Sequence, residues 1–546
     1  MKLWRFVKKI ILAAILVLCS FFGSFTIALY VADEVFPRTN KRLAIETKSA
    51  IISGDFLNDT DVKDVVVRAS MDTDSSVILA IAQRRDALAW FQNDTYSLVS
   101  LKNESDDLQV VQGENATKLS GDSDLWVTAI AGKGLANLAW NPQQNGDWVI
   151  VLGNQKDDAK DKSPNAYTVD ISYEQLEFRQ AKDIFLKLFG FSLVILLIFS
   201  LITYFTRDRD FPPKHVKRRT RRFKIFSLIV TSTSILALSL TGCSNNAEQA
   251  VPQYPNLTQS QEERIYASLT GVIANAEEKN DAKLLESRVA GAALTVRKLG
   301  LKLSGISQIK QHSVLPAATR EWIVTNNESF PRIAFVVTNP TENRETERIL
   351  LMMQESPRAQ YKLMAIARSF SDVQFPAFSD NNLGSQQVAA DDASTTDKSP
   401  IDALTSYAEI LQNPESEKVG EFNYDELRKS LAELTESVQS GVETNKGKQS
   451  QKFGIDDKQI WAIKTANGGE FMIGVIYSVW TRESGEGRYS RPADKGEEKL
   501  FEGKTATSVL EVKYINIVAL TIPPKGTGEK IKALGAERIP YEVNAK

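Results

Sequence analysis

Apolar positions along the chain follow three patterns, and each predicts a different kind of element. Long uninterrupted apolar runs predict membrane-spanning segments. Short alternating runs predict strands, and apolar residues at every third or fourth position predict helices. The first long run, from about Ile10 to Ala32, holds no charged residue and can cross a hydrocarbon layer of about 30 Å. The second, Ile184–Phe205, carries one charge, Lys187, near its start, where the side chain can snorkel toward the outer interface. The third, Ile225–Gly242, is shorter and richer in Ser and Thr.

Charge around these runs predicts their direction. Lys2, Arg5, Lys8 and Lys9 precede the first run, so the positive-inside bias places the N-terminus in the cytoplasm. Residues 1–32 then form the cytoplasmic N-terminus and a first transmembrane helix. A cleaved signal peptide is the competing reading; the length of the run and its poor cleavage sites favour an uncleaved anchor. Residues 207–224, RDRDFPPKHVKRRTRRFK, set nine Lys/Arg against two Asp. Placed between two apolar runs, they predict a cytoplasmic loop attracted to anionic headgroups rather than a nucleic-acid patch. The expected order is an outer domain at 33–182, a second transmembrane helix at 183–206, the basic loop at 207–224 and a third apolar segment at 225–242. Everything after 243 lies outside again. Membrane lipids are the expected partners, with other envelope or membrane proteins as further candidates and nucleic acid excluded.

The third run ends in Leu240-Thr241-Gly242-Cys243-Ser244. A basic stretch, an apolar core, then Leu, a small residue, Gly and Cys resembles the bacterial lipobox. The resemblance implies lipid attachment at Cys243 and removal of the segment ending in Leu240, Thr241 and Gly242. One chain would then yield a two-spanning membrane protein and a lipoprotein. The alternative is an uncleaved third transmembrane helix with an incidental thiol. Cys19, in the first run, follows Leu18, which is too large for a lipidation site.

Residues 33–182 predict an all-β sandwich. VVVRAS (65–70), SSVILAIA (75–82), YSLVSL (96–101), DLQVVQG (107–113), DLWVTAIAG (124–132), GLANLAWN (134–141), DWVIVLGN (147–154) and YTVDISY (167–173) are short runs separated by Asn, Asp, Gly and Ser. Trp126, Trp140 and Trp148 are expected in the core rather than on a binding platform. The stretch DLWVTAIAGKGLANLAWNPQQNGDWVIVLGN (124–154) resembles an outer β-domain of uncharacterised actinobacterial membrane proteins. SSVILAIAQRRDALAWF (75–91) resembles an earlier strand and turn of the same domain. That family supplies no active site to carry over.

After a tether at 243–259, helical periodicity begins. Ser260 and Glu263 fit a capping box, and Ile265, Leu269, Val272, Ile273 and Ala276 form one apolar face. A second helix at 282–300 and strands at 320–326, 332–339, 348–355 and 361–368 complete a first α+β unit over 260–370. A linker at 371–398 follows. The order then repeats over 399–546, with helices opening at Ser399-Pro400 and at 425, and strands at 459–465, 470–480, 507–515 and 516–523. Trp322 and Trp461 fall at matching places. The order resembles the cystatin-like cone of the nuclear-transport-factor-2-like superfamily. The half as a whole, from the lipobox through IWAIKTANGGEFMIG to KALGAERIPYEV, resembles a family of actinobacterial lipoproteins without an assigned activity.

Composition narrows the chemistry. The 66 basic and 68 acidic side chains leave a net charge of −2, and there are two Cys and two His. A disulfide scaffold and a Cys/His zinc site are thereby excluded, and no metal or cofactor is expected. Gly503-Lys504-Thr505 lacks the earlier glycine of a phosphate loop, since position 498 is Glu. Gly485–Tyr489 lacks the third glycine of a dinucleotide loop. His312 is expected in an exposed loop and His215 in the basic loop, so no Ser-His-Asp triad is assembled. Tyr266, Tyr407 and Tyr477 are expected to be core tyrosines, with an Asp–Tyr pocket as the catalytic alternative. No catalytic residue is assigned. The sequence therefore predicts a multi-domain, multi-pass membrane protein with a non-catalytic binding, scaffolding or assembly role at the outer face of the bacterial membrane. A small-molecule enzyme or ligand-binding cone, and a transport or secretion accessory, are the rivals.

Overall fold

In a computed structural model, the described residues are 2–35, 39–71, 76–102, 106–115, 118–143, 146–154, 166–175, 179–205, 254–304, 315–340, 347–379, 383–501 and 506–546. They divide into two units: one holds the long apolar helices, the other residues 40–60, 64–172 and 253–546. The basic loop and the third apolar run lie outside the described residues.

Leu, Ile, Ala and Phe without interruption make α1 (Lys2–Val35) and α3 (Arg179–Phe205). Each contains a stretch long and apolar enough to cross a membrane, Ile10–Ala28 and Ile184–Leu201. Val17, Phe191 and Leu197 are more than half exposed, a surface suited to hydrocarbon rather than water. The two helices pack antiparallel through aromatic rings, with Phe25 and Phe185 4.4 Å apart. A small residue lets them close, because a Cβ on Gly23 would lie 2.9 Å from the Phe189 ring.

In the second unit, ten strands form two sheets. Strands β1 (Thr39–Ile45), β10 (Tyr167–Gln175), β3 (Val62–Met71) and β8 (Leu135–Trp140) pair in that order. The other sheet runs β6 (Asp107–Val111), β5 (Tyr96–Leu101), β2 (Ala50–Gly54), β9 (Trp148–Asn154), β4 (Ser76–Gln83) and β7 (Thr128–Lys133). Trp140 on one sheet meets Trp148 on the other, ring centroids 5.9 Å apart. Trp126, Trp140 and Trp148 are all buried, as core residues. Two features depart from the expected all-β reading. Strands β2 and β5 are parallel. The expected strand and turn at 75–91 is a strand followed by a helix, α2 (Arg84–Phe91). Its Arg, Ala and Leu are good helix formers, and Asp86 sits in its first turn, where a negative charge is favoured.

The C-terminal region builds two units of the same element order. Helices α4 (Gln259–Lys279) and α5 (Gly291–Lys302) precede the antiparallel strands β11 (Thr319–Val324), β12 (Arg332–Thr338), β13 (Arg348–Gln354) and β14 (Lys362–Ser369). Helices α6 (Pro400–Gln412) and α7 (Glu426–Thr444) precede β16 (Lys448–Lys464), β17 (Glu470–Glu483), β18 (Val509–Ile522) and β19 (Lys532–Ala545), with a short α8 (Lys495–Leu500) after β17. Trp322 and Trp461 both sit on the first strand of their meander, opposite Val336 and Ile473. Pairing of β14 with β19 joins the meanders into one nine-stranded sheet.

Three local expectations change. The two strands expected at 507–515 and 516–523 are one, β18, which continues through Asn516, whose buried amide donates to the Ile476 carbonyl and the Ser478 hydroxyl. The last strand is instead β19. The helix cap is Thr258, whose N–H donates to Gln261 at 2.9 Å, two residues before the expected Ser260. The segment read as a linker is structured: β15 (Gln387–Val388) pairs with β16, and Ser385 bridges to Thr325 beside β11. It thus stitches the two edges of the sheet. Backbone groups left free on edge strands favour such pairing.

Candidate interaction interface

A group of buried charges lies where the two-sheet domain meets the C-terminal region, within the second unit. From the domain side come Asp86 and Trp90 on α2, Asp94 just after it, and the loop carrying Asp124 and Trp126. That loop is held in shape from within: the Trp126 indole donates to the Ser120 carbonyl at 2.6 Å, and Leu125 N–H donates to Ser123 Oγ. Opposite stand Gln261 and Arg264 of α4, Arg288 ahead of α5, Arg332 at the start of β12, and Arg358 and Tyr361 between β13 and β14.

Asp124 is 1% exposed and fully partnered. Arg288 donates to it twice, Nη1 to Oδ2 at 2.5 Å and Nη2 to Oδ1 at 3.1 Å, and Tyr361 N–H adds a third bond at 2.7 Å. Gln261 Nε2 donates to the Asp124 carbonyl at 2.8 Å. Arg332 Nη1 donates to Asp86 at 2.6 Å, with both side chains essentially out of solvent. Arg358 donates to Asp94 at 2.9 Å and to the Trp90 carbonyl at 2.7 Å, at a more open edge. Arg264 donates to the carbonyls of Trp126 and Val127. Arg85 points the other way, to the carbonyls of Tyr254 and Pro255, both at 2.9 Å.

Apolar packing accompanies the charges. Phe330, half-buried, packs against the core cluster of the two-sheet domain that includes Trp90, Phe91 and Trp126, and the Arg332 guanidinium lies 4.3 Å from its ring centroid. Burial lowers the basicity of Arg85 and Arg264 and raises the phenol of Tyr361 far above its ordinary value. Desolvated charges are costly unless paired and fully hydrogen-bonded. Here Asp124 meets that condition through bidentate Arg geometry, the strong form of such a pair. Asn256 and Leu257, at the end of the expected tether, are buried, and Asn256 bonds to Thr325.

Clefts among the described residues lie elsewhere. One of about 590 Å³ is lined by the end of α7 with Arg482, Arg488, Tyr489 and Arg491. Two of its arginines are engaged: Arg482 pairs with Glu497, and Arg488 donates to the Thr444 carbonyl at the C-terminus of α7. Another, of about 520 Å³, lies between α6, α7 and β16, with Tyr424 and Gln412, Gln439, Gln449 and Gln451 on its walls. Gln449 bonds to Gln439 and to the Trp480 indole, and Gln451 donates to Thr435. Among the described residues no group of His, Cys, Asp and Glu is arranged to hold a metal ion.

Leu240, Thr241, Gly242 and Cys243 lie outside the described residues, as do His215, His312 and Gly503–Thr505. Tyr266 is buried and donates to the Pro316 carbonyl at 2.6 Å. Tyr407 is buried and donates to Asp425 at 2.9 Å. Asp425 also caps α7, accepting from Arg428 N–H, so this Asp–Tyr pair is bound into helix capping. Tyr477 packs against Tyr541, centroids 6.0 Å apart. The interface residues were missed by sequence reasoning. Their signal was a single charge set inside an apolar motif, as in Asp124-Leu125-Trp126-Val127 and Arg332-Ile333-Ala334-Phe335.

Fold and interface together define a β-rich protein with, among the described residues, two apolar helices of membrane-spanning length and a charge-paired contact between its two β-containing regions. Residues 253–541 match the model of a family described as a domain of unknown function, DUF8094; this is more than half of the chain, which belongs to that family. No curated protein and no solved structure matches the chain.

Proposed function

We propose that the chain is a non-catalytic scaffolding or assembly protein of the bacterial cell envelope, with both β-rich regions on the outer face of the membrane. The observation that carries this reading is the Asp124–Arg288 contact, because its partners lie on opposite sides of α3 in sequence. If α3 crosses a bilayer, the regions before and after it can dock only when the chain crosses back between residues 205 and 254. The apolar run 225–242 is the segment in that interval able to do so, and the basic stretch 207–224 before it favours a cytoplasmic turn. The shared helix–helix–meander order supports the reading of two duplicated cystatin-like cones.

Lipid attachment at Cys243 belongs to the same reading. In it, the returning segment is a lipoprotein signal, and the C-terminal region is held by acyl chains contributing about 0.8 kcal/mol per buried CH₂. Membrane lipids and other envelope proteins are its partners. Metabolic labelling with a clickable fatty acid, together with the mass of the products, tests it. The wild type should give a labelled product beginning at Cys243, and Cys243→Ala should give one unlabelled full-length chain. An unlabelled, uncut wild type would leave a third helix in place of the lipid. A ligand-binding role is favoured by one observation only, the buried Gln451 Oε1 without a partner beside the α6–α7 groove.

A further inference from the structure

We infer that the two-sheet domain and the DUF8094 region form a protein–protein interface able to hold as two separate polypeptides, so that a cut between Phe205 and Tyr254 leaves a complex rather than two free products. The domain presents Asp86, Asp94 and Asp124, and the other side presents Arg264, Arg288, Arg332 and Arg358. Complementary charge of this kind steers encounter between chains and fixes register. Its centre is dry, since Asp86, Asp124, Arg288 and Arg332 are each 5% exposed or less, and the half-buried Phe330 packs against the core of the two-sheet domain. Buried bidentate charges flanked by aromatic anchors are the groups that carry binding energy at interfaces between chains.

The family boundary points the same way. The family match begins at residue 253 and leaves the two-sheet domain outside it, so the interface joins a family region to a region the family does not include. The claim does not require cleavage at Cys243. If that cleavage occurs, its consequence is that both products stay together, one attached by helices α1 and α3 and the other by lipid.

The test uses the full chain with a site-specific protease sequence inserted between Asn245 and Gln249 and an affinity tag at the N-terminus, purified in detergent. After cutting, the released fragment carries none of the three apolar runs, so a shared micelle cannot retain it. It should stay bound to the tagged part even in about 1 M salt, where the screening length falls to about 3 Å but buried pairs are little affected. Asp124→Arg should weaken retention by roughly 100-fold or more, and Asp124→Arg with Arg288→Asp should recover much of it. Should Asp124→Arg prevent folding, Arg358→Glu at the open edge should speed fragment release several-fold. Fragments that separate at about 0.15 M salt while keeping their circular dichroism would overturn the inference. So would full retention in both charge-reversal variants.

Discussion

Arg288 and Asp124 face each other through two side-by-side hydrogen bonds, although a helix of membrane-spanning length separates them in sequence. The pair ties a strand-derived loop before that helix to the turn ahead of α5 after it. Tyr361 N–H and Gln261 complete the shell around Asp124. If α3 crosses a bilayer, the chain must cross back after it to bring those residues to the same side.

Removing one member of the pair should cost more than removing both. Asp124→Ala leaves Arg288 buried and unpaired, a loss of about 3–5 kcal/mol. Asp124→Leu combined with Arg288→Met should restore a large part of that, because neither charge then needs solvation. Urea unfolding of the wild type, Asp124→Leu, Arg288→Met and the double variant closes a double-mutant cycle that measures the coupling. Additive effects would show that the pair is not an energetic unit.

Burial raises Glu470 to about 7, with hydroxyls of Thr395 and Thr396 at 3.3 Å and Asp392 and Lys464 nearby. Between the ordinary value of 4.5 and about 7 the folded state holds the proton more tightly than the unfolded state. Stability therefore falls as pH rises through that window, by at most about 3 kcal/mol from this group. Burial beside Glu263 raises Glu262 to about 7 and acts with the same sign. Glu470→Gln should flatten part of the slope and stabilise the protein at about pH 8 but not near pH 4.5. Unfolding midpoints across pH decide it; an unchanged slope would remove Glu470 from the account.

Gly474 lets α6 approach the sheet. A Cβ there would lie 2.5 Å from Leu404 Cδ2, and Leu404 is fully buried. Gly474→Ala should destabilise the protein by about 1–3 kcal/mol through overpacking. In the Leu404→Ala background the same change should cost much less, since the space it needs is open. Equal costs in both backgrounds would place the strain elsewhere.

The sequence made the strands legible wherever alternation was local. β3, β4, β5, β8, β9 and β10 fall close to their expected positions. Strand β1 was missed because Lys41 and Arg42 break its apolar pattern, and α2 was missed because its eight residues, Arg84–Phe91, are too few for a helical period to stand out. The expected strands divide at Asn516, and only the neighbouring strand's Ser478 and Ile476 reveal it as a buried residue inside one strand. The interface was illegible for the same reason. Asp124 and Arg288 are 164 residues apart, and no local period records a partner at that distance. Single charges inside apolar motifs were the available clue, and they name the residues without naming the pairs.

The most direct test of the account asks which side of the membrane each region occupies. In a chain with Cys19→Ser and Cys243→Ala, single cysteines at Lys102, Glu486 and Thr220 are exposed in intact cells to a membrane-impermeant maleimide. Lys102 and Glu486 lie on exposed surface of the two β-rich regions. The account predicts labelling at both of these positions, and labelling at Thr220 only after the cells are opened. Labelling of Lys102 without Glu486, or of Thr220 in intact cells, would contradict it.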